Sequence, residues 1–266
     1  MFNYILDFIK SFMPYISSGK NNNVYAVIKG KEIKLNRRIK GLTVKFYGNN
    51  NTVKLHLPIK FSGTVIRFDG DGSSFEMMPT STKVNDAGFS LSHNSHIFID
   101  SNSRLNRPNL RLIVNNNKKE ESNNLYIGKN AQISIDVLMR TSDGHSLFNI
   151  GEELPYNKPR DIIIGDNVWL GSRVVLLKGT VLPNNSIVGA CSVVNSRFDE
   201  ENVIIAGHPA RIVKRNVKWE RAPYGEYIAQ FTNINNPVTN TLKTEKYILL
   251  SKLKRKKREL LFKMFY

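Results

Sequence analysis

From Ile164 to Val194 an apolar residue recurs at every sixth position: Ile164, Leu170, Leu176, Leu182, Val188, Val194. Four places after each of the first five stands Val168, Val174, Thr180, Ser186 or Ser192, all small or β-branched. A helix repeats near 3.6 residues and a half-buried strand at 2, so neither produces a strict period of six. A solenoid of short strands joined by tight corners does. Each unit lays down one flat face with its apolar side chain inside a triangular prism, and three units close a coil. The pattern predicts a mainly β chain built on a hexapeptide parallel β-helix.

The same period appears earlier at Ile127, Ile133 and Met139. Leu125–Ala131 (LYIGKNA) is echoed by Ile162–Val168 (IIIGDNV), 37 residues on and one residue more than two eighteen-residue coils. Something between the copies therefore leaves the register. The segment 149–160, with Pro155, Pro159 and few apolar residues, is the predicted projecting loop, and loops on repeat scaffolds usually carry specificity. Upstream, over 24–124, Val44–Phe46, Val53–Leu57, Thr64–Phe68 and His96–Ile99 read as short strands between Asn/Gly turns. They are expected to form irregular coils of the same solenoid or a β cap, because terminal repeats must cover an open core. Residues 115–124 read as a polar loop. Past Val194 the pattern breaks over 196–202, resumes at Ile205 and ends near Lys214, so 125–215 is the regular β-helix.

The two ends differ from this. Residues 1–23 are expected to include a short amphipathic helix using Phe2, Ile5, Leu6, Ile9 and Phe12, interrupted by Asp7 and Lys10 and lacking the basic start of a signal peptide. Residues 216–266 predict a helical tail. Between Lys243 and Lys263 it carries nine basic residues against Glu245 and Glu259, a net +7, interleaved with Leu249, Leu250, Leu253, Leu260 and Leu261. Such a helix suits either an anionic lipid surface or docking on the protein itself.

Composition narrows the class. The chain has 266 residues, 41% hydrophobic and 23% charged, long enough for a real core. No stretch approaches the ~20 apolar residues of a membrane span. One cysteine, Cys191, excludes an internal disulfide framework and fits a reducing, cytoplasmic setting. It lies within the hexad run and reads as a small coil residue. The net charge of +17 points to polyanionic partners. No nucleic-acid motif and no aromatic-interleaved basic strand accompanies it.

Five histidines are present, and His145 differs from the others in context. It follows Thr141-Ser142-Asp143-Gly144, small and polar residues where a coil gives way to the projecting loop. That setting can expose an imidazole at a cleft edge, and imidazole, titrating near ~6.5, is suited to taking a proton from a hydroxyl. Asp143 next to Gly144 reads either as an orienting partner of His145 or as a bare turn. Trp169 stands at an outward position of its hexad, as a ligand wall or a subunit contact.

These residues carry a resemblance. Asp143-Gly144-His145-Ser146, Ile164–Gly171 (IGDNVWLG), Ile187-Val188-Gly189-Ala190 and Ala206-Gly207-His208-Pro209-Ala210 resemble the hexapeptide-repeat acyltransferases, and among them the O-acetyltransferases of sugars and sialic acid capsules. The resemblance covers residues ~125–215. It implies a left-handed β-helix, a trimer with sites between neighbouring prisms, and acetyl-CoA as co-substrate. It also implies a histidine base at His145 and a tryptophan at Trp169 lining the reaction centre. A cofactor path is implied along Ser172, Ala190 and Asn195 toward Arg211 and Lys214, whose charge would face the nucleotide phosphates. Asn195 stands where a threonine or similar polar residue is common in the family, and the stretch Asn195-Ser196-Arg197 departs from its pattern. Glycines 171 and 189 read as turn residues. Direct transfer needs no enzyme nucleophile, only alignment, removal of one proton and an oxyanion partner.

Other readings stay in play at this level. A zinc hydratase on the same solenoid would want about three histidines from adjacent coils, and His145 has none five residues on, so no metal is expected. Transfer to the amine of an amino sugar would use similar coils. A non-catalytic solenoid that binds polyanions through its basic tail would tolerate changes at His145 and Trp169. The charge favours an acidic glycan acceptor, worked on near the inner membrane face.

Overall fold

A computed structural model describes residues 15–105, the backbone of 111–114, and 122–228. The described residues up to Lys218 form one compact unit and a second begins at Trp219. The first unit is a parallel β-helix of three faces, walked coil by coil. The opening coil holds β1 (Ile16–Ser17), β2 (Asn23–Ile28) and the antiparallel β3 (Lys31–Lys34). The next coils hold β4 (Leu42–Phe46), β5 (Thr52–His56) and β6 (Lys60–Ser62), then β7 (Thr64–Phe68), β8 (Ser74–Met77) and β9 (Lys83–Asn85). They are followed by β10 (Gly88–Leu91) and β11 (Ser95–Ile99), then by β12 (Arg111–Val114), β13 (Asn123–Ile127) and β14 (Gln132–Ile133).

The site-bearing coils come next. They comprise β15 (Leu138–Arg140), β16 (Ile162–Ile164) and β17 (Trp169–Leu170), then β18 (Val175–Leu176), β19 (Val181–Leu182) and β20 (Ile187–Val188). The unit closes with β21 (Val193–Val194), β22 (Ile204–Gly207) and the antiparallel β23 (Ala210–Lys214). The first face stacks β1-β4-β7-β10-β12-β15-β18-β21, and the second stacks β2-β5-β8-β11-β13-β16-β19. On the third face β6 pairs with β9, an Arg104–Gln132 bridge follows, and β14-β17-β20-β22-β23 continue.

The hexad pattern translates directly into this geometry. The six apolar residues from Ile164 to Val194 are at most 1% exposed, as are the five that follow them by four places. Inward residues stack on their counterparts one coil away, as in Ile133–Leu170–Val188–Ile205 on the third face. Corner glycines let successive coils approach: a Cβ on Gly165 would sit 2.6 Å from Asn184 Oδ1 and 2.8 Å from the Asn184 nitrogen. At Gly171 it would meet the Ala190 nitrogen at 2.6 Å.

The structure decides one open expectation and changes others. Residues 24–105 are coils of the same prism, and the stacking of β11 on β13 runs past residue 124 without a boundary. These coils are longer: Val53, Phe75 and Ile97 stack at intervals of 22 residues. A longer coil encloses a wider interior, which Phe46, Phe61, Phe68, Phe75 and Phe89 fill, with Phe46 and Phe68 stacked at 4.8 Å. A helix through residue 23 is excluded, since Ile16–Ser17 is a strand and β2 starts at Asn23; residues 1–14 lie outside the described residues. The polar loop ends before Asn123, where β13 begins, and 115–121 lie outside the described residues. Of the C-terminal tail, a helical turn at 224–228 is described, and the basic stretch from Lys243 lies outside.

The two similar heptads are also closer than their spacing suggested. Leu125 pairs directly with Ile162, and Ile127 with Ile164. Their offset of 37 is one eighteen-residue coil plus an insertion, extruded at the corner between the first and second faces.

Candidate active site

The insertion leaves β15 after Arg140 and returns at β16. Its two ends are tied together where the Arg160 amide donates to the Thr141 carbonyl at 3.0 Å. Asp161 anchors the return strand: its Oδ1 accepts the Asn124 amide at 2.7 Å and its Oδ2 accepts Asn124 Nδ2 at 3.1 Å. Thr141 is fully buried, so the loop leaves the core abruptly and everything from Asp143 onward is accessible to some degree.

His145 sits at the start of this loop and is exposed. Its carbonyl accepts Asn157 Nδ2 at 2.8 Å, and the same amide nitrogen donates to Asp143 Oδ2 at 2.8 Å. Asn157 Oδ1 accepts the Leu147 amide at 2.8 Å, closing a ring of hydrogen bonds around the histidine backbone. Lys178, on the following coil, forms an ion pair with Asp143 and donates to the Asn157 carbonyl at 2.8 Å. Burial pushes the Asp143 carboxyl up, but hydrogen bonds from Lys178 and Asn157, with the charges of Lys178 and Arg140, carry it below the usual carboxylate range. Asp143 precedes a bend at Gly144, where φ is +83°, and its carboxylate is engaged by Lys178 and Asn157.

Trp169 lies on β17, on the third face, 39% exposed. Its backbone pairs with Gln132 and Ile187, and its indole Nε1 is 3.4 Å from Ser134 Oγ. His145 and Trp169 thus occupy different sides of the prism: one at the corner between the first two faces, the other on the third face.

The predicted cofactor residues divide in the same way. Ser172 and Ala190 stack on successive coils at the corner after the third face, linked through the Cys191 amide to the Ser172 carbonyl at 2.9 Å. Ala190 is exposed. Arg211 and Lys214 are exposed on β23, which pairs with β22 of the same face, Ala206 opposite Arg211 and Ile204 opposite Lys214. Asn195 does not join them. It follows β21 at the corner between the first and second faces, the corner that also carries Lys178 and the His145 loop. Cys191 is exposed in the corner turn, at φ +61°.

Two participants escaped the sequence reading. Lys178 had a signal, because the second position after each hexad's apolar residue is otherwise Asp166, Ser172, Asn184, Ala190 or Ser196. One long cation among short side chains marks a corner that reaches outward. Asn157 had none beyond its place between two prolines. The loop also carries an apolar tip: Phe148, Ile150, Leu154 and Tyr156 are between 51% and 107% exposed. Among the described residues, no group of three or more His, Cys, Asp or Glu side chains is placed to hold a metal ion.

Comparison with known proteins decides the family. The model for bacterial transferase hexapeptide (six repeats) matches residues 161–196. A polysialic acid O-acetyltransferase of Neisseria meningitidis is 31% identical over 177 residues, which is 66% of this chain and 79% of that protein. The chain belongs to the hexapeptide-repeat acetyltransferase family. A polysialic acid O-acetyltransferase of Escherichia coli O1:K1 is 35% identical over 40% of this chain, a segment spanning 34% of its own length. The crystal structure of the polySia-specific acetyltransferase NeuO superposes with a TM-score of 0.67 at 25% identity, covering 83% of this chain and 99% of NeuO. The polysialic acid O-acetyltransferase OatWY superposes at 0.64, with 25% identity over 83% and 98%. The fold is therefore the left-handed parallel β-helix of this family. Trp169 falls within the span of the family model and His145 outside it.

Proposed function

We propose that this protein transfers the acetyl group of acetyl-CoA to a hydroxyl of a sugar in an acidic polysaccharide of the polysialic type. The observation that carries the proposal is its relationship, across 79% of the relative's length, to the meningococcal polysialic acid O-acetyltransferase. Acetyl-CoA supplies a thioester, an acyl donor that is already activated, so the protein's work is alignment and proton transfer. The imidazole of His145 removes the proton of the acceptor hydroxyl as its oxygen attacks the thioester carbonyl. It then returns that proton to the departing thiolate. Exposure of His145 on a loop with a fixed backbone supports this role. The exposed corner at Ala190 and the exposed cations Arg211 and Lys214 suit the donor's pantetheine and phosphates.

His145 and Trp169 lie on different sides of one prism, and we place the working site between two copies in a homotrimer. His145 of one copy would face Trp169 of the next, and the exposed loop tip would bury Phe148, Ile150, Leu154 and Tyr156 against that neighbour. The net charge of +17 supports an anionic glycan, and the same proposal sets the enzyme in the cytoplasm with its basic tail near the inner membrane face.

The test is release of thiol from acetyl-CoA with a panel of sialylated and neutral oligosaccharides, wild type against His145→Ala. Release that requires an acidic glycan and falls by ~10²–10⁴ in the variant is expected. Undiminished turnover in the variant removes His145 as the base. Equal rates on neutral and acidic acceptors remove the acidic specificity. Transfer to amino sugars alone makes the protein an N-acetyltransferase.

A further inference from the structure

The loop that carries His145 is held by the coil after its own. Lys178 follows β18 at the corner beneath the loop, and its side chain is only 13% exposed. An ammonium group taken that far out of water needs partners, and a lysine side chain fixed there gives up rotamer freedom. Its hydrogen-bond partners, the Asp143 carboxylate and the Asn157 carbonyl, both belong to the loop. Asp143 and Asn157 are 14 residues apart in the chain, so one side chain pins both stems. Between the stems Asn157 holds the His145 carbonyl and the Leu147 amide.

The prism itself does not need this arrangement. The same corner is closed from inside by Thr180, whose single hydroxyl proton lies between two acceptors, the Leu177 carbonyl at 2.7 Å from Oγ1 and the Val194 carbonyl at 3.0 Å. Val174 and Leu176, the inward residues of this coil, are fully buried. The His145 ring is exposed, so its location rests on its backbone, and that backbone rests on Asn157, Asp143 and through them on Lys178.

We infer that Lys178 is a positioning residue: through Asp143 and Asn157 it fixes His145 relative to the coil stack without touching the reacting atoms. The inference rests on the proposed role of His145 as the base. Misplacement of a catalytic group by about 1 Å can cost ~10²-fold in rate. A loosened loop is therefore expected to lower kcat by roughly that factor and leave the KM for acetyl-CoA near its original value.

Lys178→Met and Lys178→Arg answer this with two readouts on the full chain. The first is hydrogen exchange at the Leu147 amide and at the Tyr156 amide, which donates to the Leu147 carbonyl at 2.9 Å. The second is turnover. Faster exchange at both amides in Lys178→Met, unchanged exchange in the coils, a fall in kcat of about a hundredfold and partial recovery of both readouts in Lys178→Arg are expected. Unchanged loop exchange overturns the inference, as does faster exchange with unaltered kcat. A fall in kcat accompanied by faster exchange throughout the coils means that Lys178 supports the fold instead, and also overturns it. If the wild type transfers no acetyl group to any acceptor, the functional reading is what fails. Loop exchange then decides alone whether Lys178 holds the loop.

Discussion

Leu170→Ala measures how firmly the prism supports its outward tryptophan. Leu170 is fully buried on β17, next to Trp169, and stacks between Ile133 and Val188. Truncation removes three carbons, worth roughly 2.4 kcal/mol at ~0.8 kcal/mol per buried methylene. The cavity adds to this, because the coils above and below cannot settle into it. The Ser134 amide donates to the Leu170 carbonyl at 3.1 Å and the Gly171 amide to the Val188 carbonyl at 2.8 Å, fixing the spacing on both sides. The total expected is about 3–5 kcal/mol, the upper range for leucine truncation. Urea unfolding followed by circular dichroism reads it as a lower midpoint at unchanged m-value. A loss below about 1 kcal/mol would refute the argument, since it would mean the inward column relaxes freely and does not hold Trp169 in place.

Two further outcomes follow from the coils. Gly165→Ala drives a Cβ to within 2.6 Å of Asn184 Oδ1 and 2.8 Å of the Asn184 nitrogen, so the next coil's backbone must move; a clear fall in Tm is expected, against little change for Gly225→Ala, where a Cβ meets nothing within 4 Å. Burial holds the half-buried His96 imidazole below its ordinary pKa, with Asp161 opposing in part, and its Nδ1 lies 2.8 Å from Ser74 Oγ. A depressed imidazole contributes stability that is fully present above ~6.5 and is lost as pH falls through the lower folded value. Tm measured from pH 7.5 downward should therefore decline less steeply in His96→Gln than in the wild type; identical slopes would discard the assignment.

What the chain states on its own is whatever repeats locally. The hexads from Ile164 to Val194 and those at Ile127, Ile133 and Met139 announce a β-solenoid because each corner needs a small residue and each face an inward apolar one, within six residues. The short strands upstream were also legible, and Val53–Leu57 was read one residue late of the observed Thr52–His56. Whether they continue the same prism or cap it was not, because they recur at 22 residues, as in Phe46–Phe68 and Leu55–Met77–Ile99, and that period shows only when coil is laid on coil.

Tertiary structure alone decided the rest. Stacking placed Leu125 directly on Ile162, which turned an offset of 37 into one coil and an extruded loop. It set His145 and Trp169 on different sides of the prism, and Asn195 apart from Ser172 and Ala190, although all five look like members of one series along the chain. It also brought Lys178 under Asp143 and Asn157, 35 and 21 residues away. A period fixes which way each side chain faces within its own coil. Which coil lies above which, and what an insertion folds back to touch, depends on contacts between residues far apart in sequence, and no local pattern records them.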